Sequence, residues 1–193
     1  MSWIVVVVVV VAALLLLWLV LLFNGLVRKR NRVDNAWAQV DVQLKRRHDL
    51  VPNLVETVKG YAAHERETFD AVTQARAAAA GARGPAAAAT AESALSQALG
   101  RLFAVAEAYP QLRASDNFLD LQGQLRDTED RIAVSRQVYN DTVLTYNNAI
   151  QTLPAVLVAG ALGFSKREFF ELEDAEDREP PAVGFRPDAP PAT

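Results

Sequence analysis

The chain has 193 residues, 51% of them hydrophobic, with 20 Lys and Arg against 23 Asp and Glu, and no cysteine. Without cysteine there is no disulfide framework, thiolate metal site or cysteine nucleophile. The net charge of −3 and the lack of aromatic residues interleaved with basic ones argue against a nucleic-acid binder.

Ile4 to Phe23, IVVVVVVVAALLLLWLVLLF, is twenty residues without a charge. A helix of that length covers ~30 Å, the thickness of a bilayer's hydrocarbon core. Seventeen of the twenty are Ile, Val, Leu or Phe, which together favour insertion by roughly 5 to 10 kcal/mol. A cleaved signal peptide wants a basic n-region, a shorter apolar core and a small-residue cleavage site. Here no Lys or Arg precedes the core, and NGLVRKRNR follows it, so an uncleaved anchor over residues 1–27 is expected. Arg28, Lys29, Arg30 and Arg32 crowd its C-terminal flank, where each can gain about 1 kcal/mol beside anionic headgroups. By the positive-inside rule they place the N-terminus outside and the body in the cytoplasm.

The body, residues 28–172, is rich in Ala, Leu, Gln, Glu and Arg and lacks alternating apolar and polar runs, which predicts helix throughout. Val33, Trp37, Val40 and Leu44 mark one face of a first helix, with only Gly25 between it and the anchor. At His48-Asp49-Leu50-Val51-Pro52 the pattern pauses. Pro52 fits the first turn of a second helix, and a kinked continuous helix is the alternative. That second helix is expected to reach about Ala80, with Leu54, Val58, Tyr61, Ala62, Phe69 and Val72 inward and Glu65 on the same stripe.

Gly81-Ala82-Arg83-Gly84-Pro85 is a helix-to-helix connection. A third helix follows with Leu95, Leu99, Leu102, Ala106 and Tyr109 in register and ends near Pro110. Ser115 or Asp116 caps the fourth, along which Phe118, Leu125, Ile132, Tyr139 and Tyr146 recur every seven residues as a core seam. AVLVAGALGF, after Leu153-Pro154, is too short for a second span; it forms a short helical cap on the bundle end or dips at the membrane surface. Residues 173–193 are acidic and proline-rich and are expected to be disordered. The expected fold is all-α: a transmembrane helix, then an antiparallel up-and-down four-helix bundle with a short C-terminal cap.

Two stretches carry a family pattern. RNRVDNAWAQVDVQLKRRHDLVPNLVETVKGYAAHE (Arg30 to Glu65) and LFAVAEAYPQLRASDNFLDLQGQLRDTEDRIAVSRQVYNDTVLTYNNAIQTLP (Leu102 to Pro154) resemble the two halves of the LemA family, over about three quarters of the chain with the anchor included. The resemblance implies a bacterial inner-membrane protein with one N-terminal span and an antiparallel helical bundle. It brings no catalytic motif. The Ala-rich linker and acidic tail fall outside the shared pattern.

A helical bundle with many carboxylates invites a di-iron centre, which needs Glu-x-x-His motifs. His48 is preceded at the third position by Lys45 and His64 by Tyr61, so no metal ligands, cofactor or catalytic residues are expected. Gln122, Glu129 and Arg136 recur every seven residues beside the seam, and Tyr139-Asn140 repeats as Tyr146-Asn147. Glu65, Glu129, Arg136, Asn140 and Asn147 are the candidate core polar network, with Glu65 and Arg136 as one pair. The basic run Lys45-Arg46-Arg47-His48 is read as a solvated end of the bundle, the other reading being a dock for an acidic partner. With no nucleotide-binding glycine motif and no Ser-His-Asp set, the expected role is a structural or adaptor protein that docks an unidentified membrane or cytoplasmic protein, or self-associates. The alternative is a sensor that binds a small ligand in a polar-lined core.

Overall fold

A computed structural model of the chain describes residues 2–171, whose secondary structure is helix, with no strand among the described residues. The expected tail, residues 173–193, lies outside the described residues. The helices are α1 (Ser2–Lys59), α2 (Arg66–Gly81), α3 (Pro85–Glu107), the short α4 (Pro110–Arg113) and α5 (Asp116–Gln151), followed by a 3-10 turn at Ala155–Leu157.

The apolar segment does not end where the body begins. α1 is one helix of 58 residues, ~87 Å long, and it crosses the expected 27/28 boundary without a break. The interruption expected at residues 49–52 is absent, and Pro52 lies inside the helix. Interior proline costs about 3 kcal/mol, in part because it cannot donate to the carbonyl four residues back. That carbonyl belongs to His48, and the Arg76 Nε of α2 donates to it at 2.6 Å. Leu44, Arg47, His48, Val51, Leu54, Val55 and Val58 are all buried, so the inward stripe runs through Pro52 unbroken. The chain turns instead after Gly60, where the Tyr61 and Ala62 N–H groups both donate to the Val58 carbonyl. Tyr61, expected inside, is exposed.

Elsewhere the expected linker and helices are found, but Ser115 at the N-cap of α5 makes no side-chain capping bond, and the expected helical cap is a 3-10 turn at Ala155–Leu157 followed by non-helical chain. Gly81 ends α2, Gly84 takes a φ of +85° and Pro85 opens α3. All five members of the α5 seam are buried. α5 runs antiparallel to α1 in one register, since Arg47 meets Glu129 and Trp37 packs on Tyr139.

The core has two parts. Farther from the apolar segment, Val51, Leu54 and Val58 of α1 pack with Phe69 and Val72 of α2, Leu95 and Leu102 of α3, and Phe118 of α5. With 16 residues, α2 is too short to cover the rest. Nearer the apolar segment its place is taken by the chain after α5. There Ala155, Ala159, Phe164 and Phe170 join Leu26, Val33 and Val40 of α1 with Tyr139, Val143 and Tyr146 of α5.

Candidate functional site

Polar side chains gather at two places inside the body. The first is where α1, α3 and α5 meet. Glu92 is 2% exposed and Arg47 5%, far below what charged groups tolerate unpaired. Arg47 Nη1 donates to Glu92 Oε2 at 3.0 Å and Nη2 to Ser96 Oγ at 2.7 Å, while Glu129 Oε2 lies 3.3 Å from Nη2. Glu92 Oε1 sits 2.5 Å from His48 Nε2. Removing one member of such a set leaves a buried charge and costs on the order of 3 to 5 kcal/mol, whereas the intact set adds little net stability over apolar packing.

This corrects the reading of Lys45-Arg46-Arg47-His48 as a solvated end. Lys45 and Arg46 are exposed, but Arg47 and His48 face inward. Their spacing signals this: Leu44, Arg47 and Val51 share a helical face once the helix is taken past Pro52. Glu92 carries the same signal, three residues before Leu95 and seven before Leu99. Beside Arg47 a cleft of about 420 Å³ opens to the surface, lined by Ser96, Phe103, Gln122, Arg126 and Glu129 among others.

The second cluster is built on the Tyr-Asn repeat of α5. Asn147 Nδ2 donates to the Arg167 carbonyl and its Oδ1 accepts from the Arg167 N–H, both at 2.9 Å. Asn140 does the same with Phe170, at 3.1 and 2.9 Å. The Tyr146 hydroxyl donates to the Ser165 carbonyl and the Tyr139 hydroxyl to that of Glu168.

The geometry follows from two periods. Seven residues of helix advance ~10.5 Å, and three residues of extended chain advance about 10 Å. Tyr and Asn at a heptad spacing therefore meet every third peptide of an extended segment antiparallel to α5. An amide side chain offers one donor and one acceptor like the peptide group itself, so the ladder grips backbone rather than sequence. Trp37 closes the groove, its ring centroid 5.3 Å from Tyr139 and 5.7 Å from Phe170, and Arg167 Nη2 reaches Asp34 at 2.8 Å. Burial pushes the Tyr139 hydroxyl up to about 12 from 10.0, partly opposed by Arg167, and raises Tyr146 in the same way.

The candidate polar residues are thus not one network. Asn140 and Asn147 hold the C-terminal strap, and Glu129 joins the Arg47 cluster. Glu65 stands at the start of α2, and among the described residues only its backbone is bonded. Among the described residues Glu65 and Arg136 form no pair, because the register of α1 on α5 sets Arg136 about halfway along the body while Glu65 lies at its far end. Of the expected headgroup residues, Arg28 and Arg32 are exposed, Lys29 and Arg30 half-buried, and Arg30 lies over the Phe164 ring at 5.5 Å.

The chain is similar to known proteins. Magnetosome protein MamQ of Magnetospirillum gryphiswaldense is 29% identical over 185 residues, spanning 82% of this chain and 68% of that protein. Protein LemA of Metamycoplasma hominis is 26% identical over 154 residues, spanning 79% and 70%. The LemA family profile matches residues 36–185. It begins beyond the apolar segment, includes the Ala-rich linker and extends into the acidic stretch, so its limits differ from those read off the sequence. It takes in the buried Arg47-His48-Glu92 cluster and the whole of the Tyr-Asn strap, and with most of its length matched the chain belongs to the LemA family.

Proposed function

We propose that this chain is a single-span scaffold or adaptor at a bacterial inner membrane, N-terminus outside, with an up-and-down four-helix bundle in the cytoplasm and no catalysis of its own. The observation that carries this is the continuity of α1: a helix with an apolar stretch long enough to cross a membrane passes without a joint into the body, so whatever docks on the body is held at a fixed angle to the bilayer. The polar groups inside support the same reading, because the Tyr-Asn ladder and the Arg47-Glu92 set are engaged with the chain itself.

Exposed Val42 on α1 and Val134 and Val138 on α5, which the register of these helices sets at about the same level along the body, are apolar side chains left for a docking partner. In-cell cross-linking and affinity purification of the full chain is the test. A few proteins should be recovered reproducibly with the wild type and lost with Val134→Glu/Val138→Glu; self-adducts alone, or an unchanged set, would count against the adaptor. The cleft beside Arg47 favours a second reading, in which the body senses a small ligand. A metabolite extract that raises the melting temperature of the wild type but not of an Arg126→Ala variant would move the conclusion there.

A further inference from the structure

We propose that the turn after α5 is a second membrane contact, its Leu153, Val156 and Leu157 side chains immersed in hydrocarbon beside the last turn of the span. This rests on reading Ile4–Phe23 as the span. From Thr152 to Ser165 the sequence TLPAVLVAGALGFS has no charge. Its apolar residues divide between two faces. Ala155, Ala159 and Phe164 are buried and close the end of the α1–α5 core, whereas Leu153 and Leu157 are each 75% exposed and Val156 47%. Closing the bundle end therefore explains only half of the segment.

Depth follows from what the turn touches. The Phe164 ring centroid is 5.5 Å from that of Phe23, and Leu22 packs on the cluster that holds Ala155 and Ala159. Within Ile4–Phe23 only Leu19 and Leu22 are partly shielded, so the folded body begins one turn inside the apolar segment. The clear stretch Ile4–Trp18 covers ~22 Å of helix, against ~30 Å of hydrocarbon core. A span that reaches its full depth draws the turn in with it, and the missing thickness is filled by the exposed Leu and Val side chains. Thinning the bilayer instead would cost free energy for every ångström of mismatch. The next layer out is basic: Arg28 and Arg32 of α1 and Lys166 after the turn are exposed at the level of the headgroups. A helix fastened on one side and wedged by a loop on the other has a fixed tilt and rotation.

The chain has no cysteine, so single-cysteine variants give unique labels. Leu153→Cys, Leu157→Cys, Val11→Cys and Val138→Cys would each carry an environment-sensitive fluorophore in the full chain, reconstituted into vesicles of phosphatidylcholine and phosphatidylglycerol with nitroxides on the acyl chains. All four positions are exposed, so the label displaces no core side chain. Labels at 153 and 157 should be quenched within about twofold of that at 11, deep in the hydrocarbon, while the label at 138, ~20 Å farther along the body, is not. Quenching at 11 alone would overturn the turn contact and leave the span intact. No quenching at 11 would overturn both.

Discussion

Arg76 carries a structural task that nothing in its surroundings announces. It supplies the hydrogen bond that Pro52 withholds from the His48 carbonyl. In wild type the loss of that donor should cost about 1 to 2 kcal/mol, the penalty for an unsatisfied, partly buried carbonyl. In a Pro52→Ala background, residue 52 regains its N–H and the helix bonds the carbonyl itself. Arg76→Met should therefore destabilise the wild type by that amount and the Pro52→Ala protein by distinctly less, a coupling of about 1 kcal/mol in a double-mutant cycle of urea midpoints. Equal losses in the two backgrounds would mean that Arg76 acts by packing alone. The same contact explains why a helix break is the natural reading of Pro52 in the sequence: the local signal is a stop, and the compensation comes from Arg76, 28 residues beyond the His48 carbonyl it bonds. The true turn, by contrast, is written as Gly60-Tyr61-Ala62-Ala63-His64, where a single glycine interrupts residues that read as helix.

At the level of elements, α5 is the most legible part of the chain and also the most misread. Its seven-residue period fixes both the buried seam and the Tyr-Asn repeat, but a period shows only that Asn140 and Asn147 share a face. What they face is an extended segment with no periodicity of its own, which is why they read as members of an internal polar network. If they instead hold backbone, Asn140→Ala/Asn147→Ala should leave helical circular dichroism unchanged and speed amide exchange at Arg167 and Phe170, whose N–H groups the asparagine oxygens accept. Asn147→Asp, which keeps the acceptor, should spare Arg167 in part. The tyrosines add a pH dependence. Each is raised in the folded state by burial, so the neutral hydroxyl is the stabilised form. Its contribution is complete below the unfolded value of 10.0 and is lost as pH climbs through about 12 for Tyr139. Between those limits the wild type should lose more stability than Tyr139→Phe, measured as urea midpoints at matched pH; parallel curves would show that Tyr139 does not ionise in the strap.

For the whole molecule the question is whether α1 behaves as one rod. The apolar stretch, the helical body and the family relationship are all legible in the sequence, but the stiffness of the link between them is not, because Gly25 can be read equally as a joint or as an ordinary helical residue. In the structure Gly25 is helical and a Cβ added there meets nothing within 4 Å. The residue costs helix propensity of about 1 kcal/mol without serving a close contact. Around it, the half-buried Leu22 and Val27 and the buried Leu26 pack on the strap end of the core, so tertiary contacts brace the helix on both sides of the glycine. Spin labels on Val11→Cys/Val42→Cys, both exposed and 31 residues apart in the chain, should report one narrow distance near 46 Å, the ~1.5 Å rise of continuous helix times that separation. Gly25→Ala should leave that distance in place. A broad or markedly shorter distribution in the wild type that Gly25→Ala sharpens would place a hinge at the membrane edge, and a body swinging on a hinge does not hold its partners at a fixed angle.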